Sequence, residues 1–191
     1  DMYIAVISKG FQHQFWQTVM SGAEDAEEEF GVDMVFEGPT SEAAIQEQVQ
    51  MLQNAMAENP SAIALAALDT QSVMDQLQEA VARGIPIIGF DSGVPNAPAG
   101  AIFANAATDN RAAAAIAADQ MFEAIADDVS GVSPSNPVTV VVLSQDATSQ
   151  SVTFRGFGFR DRMIELLVAN GVPRNQIRVQ GNPAYIADDS P

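Results

Sequence analysis

The chain has 191 residues, 47% of them hydrophobic, with 8 basic against 25 acidic side chains and a formal net charge of −17. That composition suits one large or two small globular domains and argues against disorder, while so acidic a chain has no basic face to offer phosphate, which argues against a nucleic-acid partner. The absence of cysteine excludes disulfides, zinc–thiolate sites, iron–sulfur clusters and a cysteine nucleophile, and no run of about 18 apolar residues is present to enter a membrane directly. The charge is uneven, with 15 acids and 2 bases through residue 105 against 10 acids and 6 bases beyond it. Glu24, Asp25, Glu27, Glu28 and Glu29 read as the solvated face of one helix. The first strand follows closely on Asp1 with no signal sequence before it, as expected of a mature or trimmed polypeptide.

Tyr3 to Ile7 is an apolar strand that stops at Ser8. The loop after it holds the chain's only lysine (Lys9) and only histidine (His13), with Phe11 between them, and leads to Phe15 and the only tryptophan, Trp16. A basic, aromatic loop at the end of a strand suits a small polar ligand with apolar faces, the reading favoured over the plainer one in which Phe15 and Trp16 simply begin the buried face of the next helix. That helix is predicted from Gln14 to Phe30, with an apolar stripe at Phe15, Val19, Ala23, Ala26 and Phe30 and a terminator at Gly31. Val32 to Phe36 is a second strand. Gly38-Pro39-Thr40-Ser41 is a turn leading to a cap, and Ile45, Val49, Leu52 and Met56 mark the buried face of a second helix. Ala62 to Ala67 is a third strand, Leu68-Asp69-Thr70 caps a third helix with Val73, Leu77 and Val81 inside, and Ile85 to Phe90 is a fourth strand, buried on both faces. Asp91 and Ser92 stand at its end, followed by a Gly/Pro-rich loop and a fifth strand at Ala101 to Ala104.

Thr108-Asp109-Asn110 opens an alanine-rich helix to about Ile125. Val138 to Leu143 is a β-branched strand, Ser144 to Thr153 a polar loop, and Phe159, Met163, Leu166 and Leu167 carry a further helix ended at Asn170-Gly171. Ile177 to Val179 makes one more strand, and Asn182 to Pro191 trails off in polar residues. Alternating strands and helices of this kind predict an α/β fold, a doubly wound parallel sheet with helices on both faces, in a first unit over 1–106 and a shorter second one over 107–191. Ligands of such sheets bind outside the carboxyl ends of the strands. Asp91, a carboxylate ending a wholly apolar strand, is the leading site residue, and Lys9, by its uniqueness and its position after the first strand, is read as a second cleft residue. His13 reads as a hydrogen-bonding loop residue, because no second histidine or cysteine exists to complete a metal site. Asp109 and Asn110 either cap their helix or touch ligand. No cofactor is expected: Gly156-Phe157-Gly158 lacks both the phosphate-loop lysine and the dinucleotide spacing. One histidine, no cysteine and no Gly-x-Ser-x-Gly elbow leave no nucleophile and base to assign, so an enzyme is not expected.

The chain resembles the ribose-type periplasmic solute-binding proteins of sugar ABC importers, a family that shares its fold with the effector domains of lactose-repressor-like regulators. The residues that carry the resemblance are Gln14-Phe15-Trp16, Ser21-Gly22-Ala23, Gly31-Val32, Arg83 to Ser92, and Thr108-Asp109-Asn110. It implies a type I periplasmic binding protein, two Rossmann-like lobes with the second incomplete in this chain, the segments that return to the first lobe lying beyond Pro191. It further implies a small sugar or polyol as ligand, held in a cleft by Phe15 and Trp16 stacking on it and Asp91 accepting from its hydroxyls, and an ABC transporter permease as partner. Thr153 stands where such receptors often present an arginine, two residues before Arg155. The family is exported behind a signal peptide, which implies a periplasmic, extracellular or lipid-anchored protein. The long loop Lys9 to Gln14, Glu37-Gly38-Pro39-Thr40 and Gln48-Val49-Gln50 are also similar to receptors for the furanosyl autoinducer.

Overall fold

The computed structural model describes residues 2–129 and 131–187. The chain forms two compact units, residues 1–107 with 148–150 and residues 108–147 with 151–191. The first unit runs β1 (Tyr3–Ile7), α1 (Gln14–Phe30), β2 (Asp33–Glu37), α2 (Ile45–Ala57), β3 (Ala62–Leu65), α3 (Met74–Arg83), β4 (Ile87–Phe90) and β5 (Ile102–Ala106). Its five strands pair in parallel in the order β2-β1-β3-β4-β5. The chain thus moves outward from β1 to β2, then crosses back over β1 to β3.

Alternation along the strands decides which helix goes where, because successive side chains point to opposite faces. Ala5, Ile7, Ile63, Leu65 and Ile87 form one core with Leu52, Ala55 and Met56 of α2 and Leu77 and Ala80 of α3, all of them 3% exposed or less. On the opposite face, Ile4, Val6 and Met34 line a cavity of about 520 Å³ together with Ala23 and Ala26 of α1. That face is thinly covered. The expected stripe of α1 is only partly sealed, since Phe15 is 47% and Phe30 71% exposed, and the strand predicted to be buried on both sides leaves Ile88 37% exposed. Two helices lie on one side of the sheet and one on the other, so a single helix cannot cover five strands.

Several predicted ends move for local reasons. β3 ends just past Leu65: Ala66 N–H makes a last bond to β1 at Ile7 O, and Ala67 N–H then turns to Ser92 O, beyond the end of β4. β4 starts at Ile87, two residues later than expected, because Ile85 N–H closes the end of α3 on Ala80 O at 2.9 Å. Asp69 does not cap α3. Its Oδ1 accepts the N–H groups of Gln71 and Ser72 at 2.8 and 2.7 Å, fixing a turn before the helix begins at Met74. Nor does the Thr40 turn cap α2, for Thr40 Oγ1 instead donates to Glu47 Oε2 at 2.7 Å.

The second unit runs α4 (Asn110–Ile125), β6 (Val138–Val142), α5 (Gln150–Ala169, its first residue counted with the first unit), β7 (Ile177–Gly181) and α6 (Pro183–Ala187). β6 and β7 form a two-stranded parallel sheet whose Val140, Val142, Ile177 and Val179 pack with Ala118, Met163, Leu167 and Tyr185. Two expectations fail here. The polar loop ends at Ser149, so Thr153 and Arg155 lie on the first turns of α5. The polar tail contains α6, whose Tyr185 is 1% exposed and hydrogen-bonded to Ser144 Oγ at 2.9 Å; residues 188–191 of that tail lie outside the described residues. Gly156 leaves the space the Tyr185 ring occupies, and Gly158 lets α5 approach the backbone of Arg111 on α4. Arginines tie the helices together. The Arg111 guanidinium lies over the rings of Phe154 and Phe157, and Arg160 donates to Tyr185 O at 2.7 Å, while Arg162 pairs with Asp119 at 2.7 Å.

Candidate ligand-binding site

β1 and β3 are neighbours whose following connections leave on opposite sides of the sheet, and at such a point the carboxyl ends open a crevice. The loops after β1, β3 and β4 converge there. Ser8 N–H donates to Glu37 O at 2.8 Å, and Ser8 Oγ, wholly buried, hydrogen-bonds Gly10 O at 2.6 Å, folding the loop back on itself. Gly38 faces this turn, where a Cβ would lie 2.5 Å from Gly10 O, so only glycine fits.

The turn directs Lys9 to Asp91. Lys9 Nζ lies 3.2 Å from Asp91 Oδ2, with the two side chains 5% and 17% exposed. Asp91 carries a left-handed backbone (φ 55), and Ser92 N–H donates to Phe90 O across it, so the carboxylate stands at the apex of a three-residue turn. A non-glycine residue adopts such a φ only where its surroundings require it, and such strain gathers at binding sites. Ser92 itself is fully buried. The pair has Coulombic and hydrogen-bonding reach for a hydroxyl that both donates and accepts, in surroundings where such bonds are stronger than in water.

The aromatic residues divide. Trp16 is 2% exposed, its ring edge-on to Phe15 at 4.8 Å and to Phe90 at 6.3 Å, and its Nε1–H donates to Glu42 Oε1 at 2.8 Å. Its faces are packed against protein. Phe15, beside it, is 47% exposed. Phe11 is 43% exposed, and its carbonyl accepts from Gln17 Nε2. His13 caps α1, its Nδ1 accepting Phe15 N–H at 3.1 Å, which fixes where Phe15 leaves the loop. Glu37, at the end of β2, has its carboxyl pushed above the usual 4.5 by burial first and by the charge of Glu58 second.

Asp109, Thr153 and Arg155 belong to the second unit. Asp109 caps α4, its Oδ1 accepting Ala112 N–H at 3.0 Å, and is otherwise exposed. Thr153 is half-buried, and Arg155 is exposed at the rim of a cavity of about 570 Å³ within this unit, with Ser144, Gln145 and Gly156 among its lining. Two side chains that hold the first-unit site had no role assigned from sequence. Glu42 anchors the indole, and nothing in its local pattern marks it. Gln48 is 1% exposed and binds Ser8 O, Ala66 O and Leu68 N–H. It did have a signal, since it falls three residues after Ile45 and four before Leu52, a polar residue inside an apolar helical stripe. Among the described residues no group of three or more His, Asp or Glu side chains is placed to hold a metal ion, and no helix is long and apolar enough to cross a membrane.

The chain is similar to several solved structures. A protein from Brachyspira murdochii described as an ABC transporter, LacI family transcriptional regulator, is 40% identical and superposes with a TM-score of 0.82 over 99% of this chain and 61% of its own. A carbohydrate transporter solute-binding protein from Agrobacterium radiobacter in complex with D-arabinose is 29% identical, with a TM-score of 0.75 over 95% of this chain and 56% of its own. A third, an ABC transporter solute-binding protein from Agrobacterium vitis with bound D-fucose, is 30% identical, with a TM-score of 0.75 over 94% of this chain and 56% of its own. The chain therefore spans well under two thirds of these proteins' length. Residues 4–190 match the family described as periplasmic binding protein domain, a family of binding proteins and not of enzymes. The chain belongs to the periplasmic binding protein domain family.

Proposed function

We propose that this chain is the greater part of a two-lobed extracytoplasmic solute-binding protein that captures a small sugar or polyol and delivers it to an ABC transporter permease. The observation that carries the reading is the Lys9–Asp91 pair at 3.2 Å, raised on a strained turn at the carboxyl ends of the strands beside half-exposed Phe15. A sugar has vicinal hydroxyls for a carboxylate and an ammonium to grip, and C–H faces for a phenyl ring to cover. The sugar-bound relatives, 29% and 30% identical, support the same class of ligand. In this reading Phe15 stacks on the ligand while Trp16 backs it, His13 and Ser92 set the loops, and Phe11 borders the entrance. Arg155 and Thr153 are the second unit's candidate contacts, and Asp109 acts there as a cap. The ligand list stays open to the furanosyl autoinducer, for which a lysine directly after β1 is the supporting feature.

Calorimetric titration with D-arabinose, D-fucose, several polyols and the autoinducer tests this, with Asp91→Asn alongside. One of them should bind, and the variant should weaken binding by roughly tenfold to a hundredfold, the worth of a charge-assisted hydrogen bond. If none binds, or if the variant binds as the parent does, the reading is wrong. A second reading, the ligand-sensing domain of a regulator, is favoured by the description of the Brachyspira murdochii relative. The gene's flanking coding sequence separates the two, since a DNA-binding helix-turn-helix would mean sensing and an export signal would mean transport.

A further inference from the structure

Gln48 has none of the binding roles above, yet its amide is fully engaged. Nε2 donates to the carbonyls of Ser8 and Ala66, both at 2.8 Å, and Oε1 accepts Leu68 N–H at 2.9 Å, all in a side chain 1% exposed. An amide nitrogen carries two donors, and both are used here. The two carbonyls are informative. Ser8 O belongs to the peptide that leads into Lys9, and Ala66 O to the peptide that leads into Ala67. Ala67 N–H in turn donates to the carbonyl of Ser92 at 3.1 Å, the residue after Asp91. One hydrogen-bonded path therefore runs from the Lys9 peptide through Gln48 and the Ala66–Ala67 peptide to the turn that carries Asp91, and the two side chains at its ends meet at 3.2 Å. β1 and β3 pair as far as Ile7 and Leu65, and Gln48 extends the tie past that last pair, where the two chains diverge.

We propose that Gln48 is a positioning residue, a buried amide strut that holds the Lys9 loop against the end of β3 and so sets the Lys9–Asp91 ion pair. A fully satisfied buried polar group fixes geometry more sharply than apolar packing does, because its bonds are directional and leaving them unmade in the interior is costly. A methionine or leucine at the same place would fill the space and tie nothing. The inference rests on reading that pair as the ligand grip, but its test needs no ligand.

Lys9 is the only lysine of the chain, so amine chemistry reports on it directly. The probe is reductive methylation with formaldehyde and cyanoborohydride as the hydride donor, followed by mass spectrometry after chymotryptic cleavage at Tyr3, which separates Lys9 from the terminal amine. Asp91→Asn sets the rate for Lys9 without its ion pair to Asp91. Relative to the parent it should react roughly tenfold faster or more, because reaching the amine then takes only a local opening. Gln48→Met should approach that rate at a temperature well below its own melting point, with its far-UV circular dichroism unchanged. Leu77→Ala, in the same core and fully buried, should lower the melting temperature without speeding the reaction. A parental rate in Gln48→Met, or equal acceleration in Leu77→Ala, overturns the proposal, since Gln48 would then support the fold alone. So does an Asp91→Asn variant no faster than the parent, because the pair would not be what holds Lys9. Should Gln48→Met not fold, Gln48→Leu replaces it, and loss of the fold in both counts against the proposal. A failed sugar titration would end the sugar reading while leaving these rates to be judged on their own.

Discussion

Asp91 and Glu37 show how differently two carboxylates fare at the ends of two strands of one sheet, β4 and β2. Asp91 stands on a left-handed turn and meets an ammonium, whereas Glu37 is half-buried with Glu58 as its electrostatic neighbour. The raised pKa of Glu37 has a consequence for stability. The folded protein holds that proton more tightly than the unfolded chain does, so the stabilisation is complete below the ordinary value of 4.5 and is lost as pH rises through the higher folded value. Glu37→Gln cannot ionise. In melting curves across acidic to neutral pH the variant should gain on the parent as pH rises from 4.5, and the gain should vanish below it; a constant offset between the two would mean that the charge of Glu37 is not what matters. Lys9 and Asp91 were legible as candidates because each is conspicuous in sequence, one as a unique cation and the other at the end of an apolar strand. Glu42 was not, since its partner Trp16 lies 26 positions away and only the folded chain brings them together.

At the scale of elements, the second unit has two glycines of α5, two residues apart, that make room for the Tyr185 ring and for the backbone of α4. A Cβ at Gly158 would lie 2.6 Å from Arg111 Cα, a contact with backbone that no rotamer change relieves, whereas one at Gly156 would overlap the Tyr185 ring, which can swing only by leaving its own buried site. Both substitutions to alanine should destabilise by about 1–3 kcal/mol or more, as overpacking does, with Gly158→Ala the worse of the two. Urea denaturation followed by circular dichroism measures the difference; equal stability of the parent and Gly158→Ala would mean that α4 and α5 are not in close contact. Neither glycine announced this in sequence, where Gly156-Phe157-Gly158 was informative only as a phosphate loop that is not there. The helices themselves were legible, because apolar spacing and the αL glycines Gly31 and Gly84 mark their faces and ends.

The two units also differ as sheets. The first has five parallel strands with β1, β3 and β4 inside, and the second has two. A two-stranded sheet protects its amides poorly, since each strand has an open edge and few neighbours. Hydrogen exchange should therefore be slower at Ala5, Ile63 and Leu65 than at Val140 and Val179 by orders of magnitude. Comparable rates would show that the second unit is as cooperative as the first. Of the arginines after residue 105, Arg111, Arg160 and Arg162 are engaged with acids and rings of α4 and α5, and Arg160 also with the Tyr185 carbonyl of α6, so this half of the chain uses its cations in internal ties.

By itself, the sequence determined the alternation of strands and helices, the parallel sheet of the first unit, and the loop of Lys9 with the carboxylate of Asp91 as the residues to watch. These follow from periodicity and from side-chain identity, which are local properties. Tertiary structure alone decided that the indole of Trp16 is enclosed while Phe15 keeps an open face, that Thr153 and Arg155 ride on a helix, and that a glutamine in an apolar stripe ties two strand ends together. Each of those depends on which distant backbone groups come within about 3 Å, the reach of a hydrogen bond, and no spacing along the chain encodes that distance.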